Sequence, residues 1–292
     1  MPAFEHVFLI MMENESQTAI QGSAMAPYIN NTLLPAAAYT NNYSTTIHPS
    51  LPNYLEITSG SFYGVGCDCN PTGTACTGAT CTVISGNCGC PQSAMHLGDQ
   101  LDGVNVPWRE YGESMGTPCN TTSANKYATK HIPFLYYSDV LNGTGGKCAQ
   151  HIVDYASFGN DLTAGTYRFS MISPDLCDDM HGNALFATGP CSTSTPEITQ
   201  GDTWLSTEVP KILATSGFAA GGKDVLFIAW DEQTGSTGTA PMLFIAVSPL
   251  AKLGATSSTY NHASLLATFE EAFGTARLND AASATPIDDI WK

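Results

Sequence analysis

The chain has 292 residues, 43% of them hydrophobic, with a mean hydropathy of −0.04, which is enough apolar material for a core and too much for a disordered chain. Acidic residues outnumber basic ones 26 to 10, a formal charge of −16. Such a surface repels nucleic-acid backbones and anionic headgroups, and an anionic substrate would need a local source of positive charge.

The predicted elements alternate between two periodicities. HVFLIMME (6–13) is a near-continuous apolar run, read as a strand covered on both faces. LPNYLEITSG (51–60) and QSAMHLGDQL (92–101) are helical patterns separated by the Cys-, Gly- and Thr-rich stretch 64–91. WREYGESM (108–115) alternates and suits a strand near an edge, and RFSMISP (168–174) is again a buried-strand run. A helix is predicted over 201–217, with Asp202 as a cap and Gly217 at its end. Two more strands, DVLFIAWDE (224–232) and MLFIAVSP (242–249), precede a helix over 262–274 that stops at Gly274. Strands alternating with helices predict an α/β three-layer sandwich with a mostly parallel central sheet. Residues 1–292 read as one domain, with 64–91 as a disulfide-rich insertion.

Ten cysteines, few lysines and Thr/Asn/Gly-rich loops point to an oxidising compartment, and so to a secreted protein with up to five disulfides. A zinc site among residues 67–90 is the rival reading, but the spacings C-x-C, C-x4-C and C-x-C lack paired C-x2-C knuckles and histidine. The start, MPAFEHVFLIMME, is strand-like and lacks the basic opening of a leader, as expected if a leader has been removed. No apolar run is long enough to span a bilayer.

In parallel sheets, ligands bind beyond the carboxyl ends of the strands. Three predicted strands deliver polar groups there: Glu13 and Asn14 after the first, Asp175, Asp178, Asp179 and His181 after RFSMISP, and Asp231 with Glu232 after DVLFIAW. Carboxylates gathered in one cleft repel one another unless a proton or cation intervenes. Oxygen-rich sets suit Mg, Ca or Mn, and added imidazole admits Zn. The plain alternative is that each acid caps a helix or binds loop amides.

The stretch TIHPSLPNYLEITSG (46–60) places Ser50 between two prolines at the entry to a helix, where free N–H groups favour an anion. Ser50 reads either as a nucleophile that a metal could activate or as a helix cap. Asn53 could donate to a phosphoryl oxygen, and His48 could steer the phosphate or protonate a leaving oxygen. Thr45 and Thr46 lack the following x-Pro-Asn context.

MMEN, HPSLPNYLEITSG, WREYGES, KHIPFLYYSDV, SPDLCDDMHG, GDTWL, AWDEQTG and YNHASLLATFEEAFG follow in order along almost the whole chain. Together they resemble the phosphoesterase family of bacterial phospholipases C and secreted acid phosphatases, within the alkaline-phosphatase superfamily. The resemblance implies an alkaline-phosphatase-like fold and metal-dependent phosphoryl transfer through a phosphoserine on Ser50. Glu13, Asn14, Asp231 and Glu232, with Ser50 itself, would hold the divalent metal (Mg, Ca, Mn or Zn). His181 and His262 would stand near the phosphate or leaving group. His131 matches a family histidine, although Ile132 stands where the family usually has Asn. Asp175 replaces a common Asn, and Asp179 would lie in a second shell or on a second metal.

The resemblance implies a secreted acid-type phosphatase acting on a small phosphorylated substrate, with no nucleic-acid partner and no membrane insertion. Family phospholipases tend to be longer, with additional β-rich domains. The alternatives are a phospholipase C-type phosphodiesterase and an inactive binding protein on the same scaffold. A serine acyl hydrolase is disfavoured because HPSLP lacks the G-x-S-x-G elbow.

Overall fold

The apolar runs become the centre of one eight-stranded sheet in the computed structural model, which describes residues 1–71, 91–182, 189–235 and 239–292. In chain order the strands are β1 (Val7–Met12), β2 (Ala38–Tyr43), β3 (Trp108–Gly112), β4 (Ile152–Asp154), β5 (Phe169–Ser173), β6 (Val225–Trp230), β7 (Met242–Val247) and β8 (Gly254–Thr256). Across the sheet they lie in the order β4-β3-β5-β1-β6-β7-β2-β8. The block from β4 to β6 is wholly parallel, with Val7 of β1 level with Phe169 on one side and Val225 on the other. Only β7 runs against its neighbours β6 and β2, so its apolar run marks burial rather than direction.

Every residue of β1, β5 and β6 is buried, which requires cover on both faces and makes the sheet the middle of three layers. Truncating a central residue such as Leu9 or Ile228 to Ala should cost about 2–5 kcal/mol through lost transfer energy and the cavity left behind. β3 lies next to the edge strand β4, in line with its alternating sequence.

The helix Ser50–Ser59 packs against the helices Leu97–Gly103 and His262–Phe273. All ten of its residues are buried. Pro52 is accommodated in its first turn, where a missing N–H costs nothing. Gly60 ends it in the left-handed conformation (φ 70°), and a Cβ there would meet the Leu278 carbonyl oxygen at 2.6 Å.

Three helix expectations need correction. The helix predicted at 201–217 spans Glu197–Leu213, with Pro196 at its N-cap, so Asp202 lies inside it. Its buried carboxylate instead accepts hydrogen bonds from the backbone of Tyr28 (2.9 Å) and Ile29 (2.8 Å). The C-cap is Ala214, and Gly217 falls in the next 3-10 turn; Gly274 does cap the last helix. The helix expected from 92 begins only at Leu97, because Gln92 pairs in extended form with Tyr137.

Disulfides join Cys119 to Cys148 and Cys177 to Cys191, and Cys67 and Cys69 are also disulfide-bonded. The remaining cysteines, 76, 81, 88 and 90, and most of the expected insertion lie outside the described residues. Among the described residues, no helix is long and apolar enough to cross a membrane.

Candidate active site

Glu13 follows β1 directly, and Asn14 then adopts a left-handed backbone (φ 52°), a conformation that Asn tolerates. The turn aims the Asn14 N–H at Asp231 Oδ1 (3.2 Å), just past the neighbouring strand β6, and its side-chain amide donates to Glu13 Oε2 (3.2 Å). Ser50, the first residue of its helix, donates from Oγ to Glu13 Oε2 at 3.0 Å. A strand end and a helix start, 37 positions apart in the chain, thus meet at one carboxylate.

The 3-10 turn Thr129–His131, packed on the same helix, supplies two more groups. Lys130 Nζ donates to Ser50 Oγ (3.4 Å) and His181 Nε2 (3.3 Å), and pairs with Asp68 (3.0 Å). His131 stacks on Tyr54 and bridges two acids, with Nε2 3.1 Å from Glu13 and Nδ1 3.1 Å from Asp179. The Tyr54 hydroxyl donates to Glu13 Oε1 at 2.5 Å.

On the other flank, Asn53 is fully buried and its side-chain amide donates to the carbonyls of Ile47 (3.0 Å) and Pro49 (3.1 Å) and to Glu232 (3.3 Å). Its Oδ1 accepts from Thr45 (2.9 Å). Asn53 therefore fixes the loop leading to Ser50, with its amide hydrogens engaged there. His48 Nδ1 lies 2.7 Å from Glu232 Oε2, and its Nε2 lies 2.7 Å from Gln233 Nε2.

Two expected residues stand apart from Ser50 in their contacts. His262 is buried behind β6, with Nε2 donating to the Asp231 carbonyl (2.6 Å) and Nδ1 paired with the Tyr43 hydroxyl (2.8 Å). Asp175 accepts from Ser114 Oγ (2.7 Å) and the Cys177 N–H (3.1 Å), in a separate group with Glu113 and Asp178.

The electrostatics of the centre are severe. Burial, then Asp231 and Asp179, push the Glu13 carboxyl well above the ordinary carboxylate range. Burial raises Asp179 well above it too, and Asp231 to about 6. Glu232 is pushed up to about 10 by burial and by Asp231. Burial would pull the Lys130 ammonium down, but Asp68 and Glu13 outweigh it and push it up. His181 falls to about 4 through burial and Lys130, and the same causes, with His181 itself, hold His131 well below its usual value.

The residues present fit a cation. Asp231 Oδ2 is buried without a hydrogen-bond partner, an expensive state for a carboxylate oxygen unless something positive faces it. Glu13, His131 and His181 each place one ligand atom within 4.8 Å of the others. The donor set is therefore richer in imidazole than the sequence reading, which placed Asn14, Asp231 and Glu232 beside Glu13.

A family model described as the Phosphoesterase family matches residues 25–276. Over its whole length the chain is 29% identical to a phosphatidylinositol-3-phosphatase of Mycobacterium tuberculosis, covering 84% of that protein. Over 64% of its length it is 24% identical to a probable acid phosphatase of Kluyveromyces lactis, covering 41% of that protein. Among solved structures, the lipoteichoic acid synthase LtaP of Listeria monocytogenes superposes with a TM-score of 0.58 at 10% identity, over 97% of this chain and 77% of that one. An alkaline phosphatase superfamily protein of Vibrio parahaemolyticus gives 0.57 at 12% identity, over 96% and 70%. These structures share the fold. The chain belongs to the Phosphoesterase family, on the alkaline-phosphatase fold, and is a phosphoric ester hydrolase.

Proposed function

We propose that the protein is a secreted, metal-dependent phosphatase that hydrolyses phosphate monoesters through a phosphoserine on Ser50. The observation that carries this reading is the Ser50 hydroxyl, at the start of its helix, between the Glu13 carboxylate at 3.0 Å and the Lys130 ammonium at 3.4 Å. A hydrogen-bond acceptor that aims the hydroxyl and a positive charge beside it suit phosphoryl transfer to serine. The name of the 29%-identical relative, a 3-phosphatase, supports a monoester as substrate. The disulfides support an oxidising destination.

Ser50 Oγ attacks phosphorus as its proton leaves to solvent, the nascent oxyanion facing the Lys130 ammonium. The ester P–O bond breaks on the opposite side, and the departing oxygen takes a proton from solvent. Water then attacks the phosphoserine, the Oγ–P bond breaks, and Ser50 Oγ takes up the proton that the attacking water gives up. Lys130 balances phosphoryl charge throughout, and Asn53 holds the 45–50 loop so that Oγ is already aimed. A divalent cation held by Glu13, His131 and His181, with the unpartnered Asp231 Oδ2 as a further ligand and Asn14 and Glu232 as those the resemblance adds, would supply positive charge that favours the ionised Ser50 and the phosphoryl oxygens. Asp179 orients His131 from behind.

The test compares hydrolysis of nitrophenyl phosphate with that of the bis-nitrophenyl diester, alongside mass analysis of acid-quenched enzyme. Faster monoester cleavage and a phosphoryl group on Ser50 are expected. Faster diester cleavage would make the protein a phospholipase C-type phosphodiesterase. Full activity of Ser50→Ala would remove the covalent step.

A further inference from the structure

The positive groups flanking Ser50 Oγ are already engaged by an anion of the protein's own. Asp68 Oδ1 accepts from the Leu51 N–H at 3.0 Å, and Asp68 Oδ2 takes the Lys130 ammonium at 3.0 Å. Leu51 N–H belongs to the residue after the nucleophile, in the first turn of a ten-residue helix, and Lys130 also donates to Ser50 Oγ. A phosphoryl group bonded to Oγ would extend its non-bridging oxygens toward these same donors. One carboxylate, with an oxygen on each, spans them as two phosphate oxygens would.

Asp68 is also held in place. It lies between Cys67 and Cys69, both buried and both disulfide-bonded, and the Cys69 carbonyl accepts from the Tyr136 hydroxyl (2.6 Å). Its side chain is nonetheless 25% exposed, against 12% for Lys130, so it sits at the mouth and not in the core.

We propose that Asp68 is a built-in competitor for the substrate's phosphoryl group, occupying the Leu51 N–H and Lys130 until substrate displaces it. This rests on the phosphatase reading above. As a consequence Asp68 sets affinity: it weakens binding of inorganic phosphate and of small monoesters, and it speeds release of the product phosphate. Substrates with further contacts to the protein can meet the cost of displacement, whereas bare phosphate cannot. Asp68 is thus a specificity-determining residue supplied by the cysteine-flanked loop.

The test uses Asp68→Asn and Asp68→Ala in the full chain with divalent cation present, each first checked for an unchanged thermal midpoint. Calorimetric titration with inorganic phosphate should show Kd falling about tenfold in both variants, and KM for nitrophenyl phosphate should fall in step while kcat holds or declines. If Asp68 only orients Lys130, both variants will bind phosphate as weakly as wild type or more weakly, and the proposal is overturned. If the wild type neither hydrolyses the monoester nor binds phosphate, the phosphatase reading fails and this inference with it. An active wild type with unimproved variants sinks this inference alone.

Discussion

Two groups of histidine and carboxylate in this molecule look alike in sequence terms and are opposite in physics. Around Glu13, Asp231, Asp179 and His131, every carboxylate is buried and shifted upward, and Asp231 keeps an oxygen without a partner. Around His96, Asp99 and Asp139, a lysine already sits in the middle: Lys147 Nζ is 2.7 Å from Asp139, 3.3 Å from Asp99 and 3.2 Å from Asp102. Although burial acts against it, the Asp139 carboxyl is drawn well below its ordinary range by His96 and Lys147. In each, three ligand atoms come within 4.8 Å of one another: those of Glu13, His131 and His181 in the first, and of His96, Asp99 and Asp139 in the second. Proximity therefore does not separate a site from a surface ion-pair cluster. Several carboxylates buried together do.

The largest test of that contrast is the proposed nucleophile. Ser50→Ala should lower kcat/KM by about 10⁴-fold or more, read from steady-state kinetics, because the proposed mechanism runs through its hydroxyl. Next comes the orphaned carboxylate. Asp231→Asn should lower kcat/KM by about 10²- to 10³-fold and reduce bound divalent metal in elemental analysis, whereas Asp139→Asn should change neither. Chelation should likewise lower the thermal midpoint of wild type but not that of Asp231→Asn.

Buried and exposed acids should also differ in the sign of their pH dependence. Glu110, in β3, is fully buried with Oε1 unpartnered, and burial holds its carboxyl well above the ordinary range. The folded state then keeps a proton that the unfolded chain releases above about pH 4.5. Its stabilisation is complete below that pH and is lost as pH rises, at up to about 1.4 kcal/mol per unit. Denaturant titrations of Glu110→Gln should accordingly be flatter than wild type between about pH 5 and 8. Asp139 runs the other way, stabilising above its unfolded pKa and losing that contribution as pH falls below about 4. The smallest effect belongs to Lys147→Ala, which should cost about 1 kcal/mol of stability and leave activity unchanged, since the carboxylates it pairs with are partly exposed.

The central strands were legible because each is an unbroken apolar run, and the rim chemistry followed because β1, β5 and β6 end in acids or amides. β2 was not legible: AYTNNY is half polar, and its strand character comes from pairing with β7 and β8. β4 and β8, three residues each, are too short to carry a period. Within the site, Ser50, Glu13 and Asp231 could be named from their places at element ends. Lys130 and Asp68 could not, because a lysine beside a histidine and an aspartate between cysteines carry no local signal of facing each other 62 positions apart. The −16 charge called only for some local source of positive charge beside an anionic substrate, and Lys130, one of ten basic residues, stands beside Ser50. Asp202 failed as a cap because helix start and buried acceptor use the same residue type.

The enclosure of the entire Ser50–Ser59 helix has an evolutionary consequence. A helix with no wet side offers no position at which a mutation can be trialled cheaply, since each replacement must be repacked against two neighbouring helices. New substrate preferences in this lineage should therefore arise by editing the surrounding loops, with the reactive platform inherited unchanged.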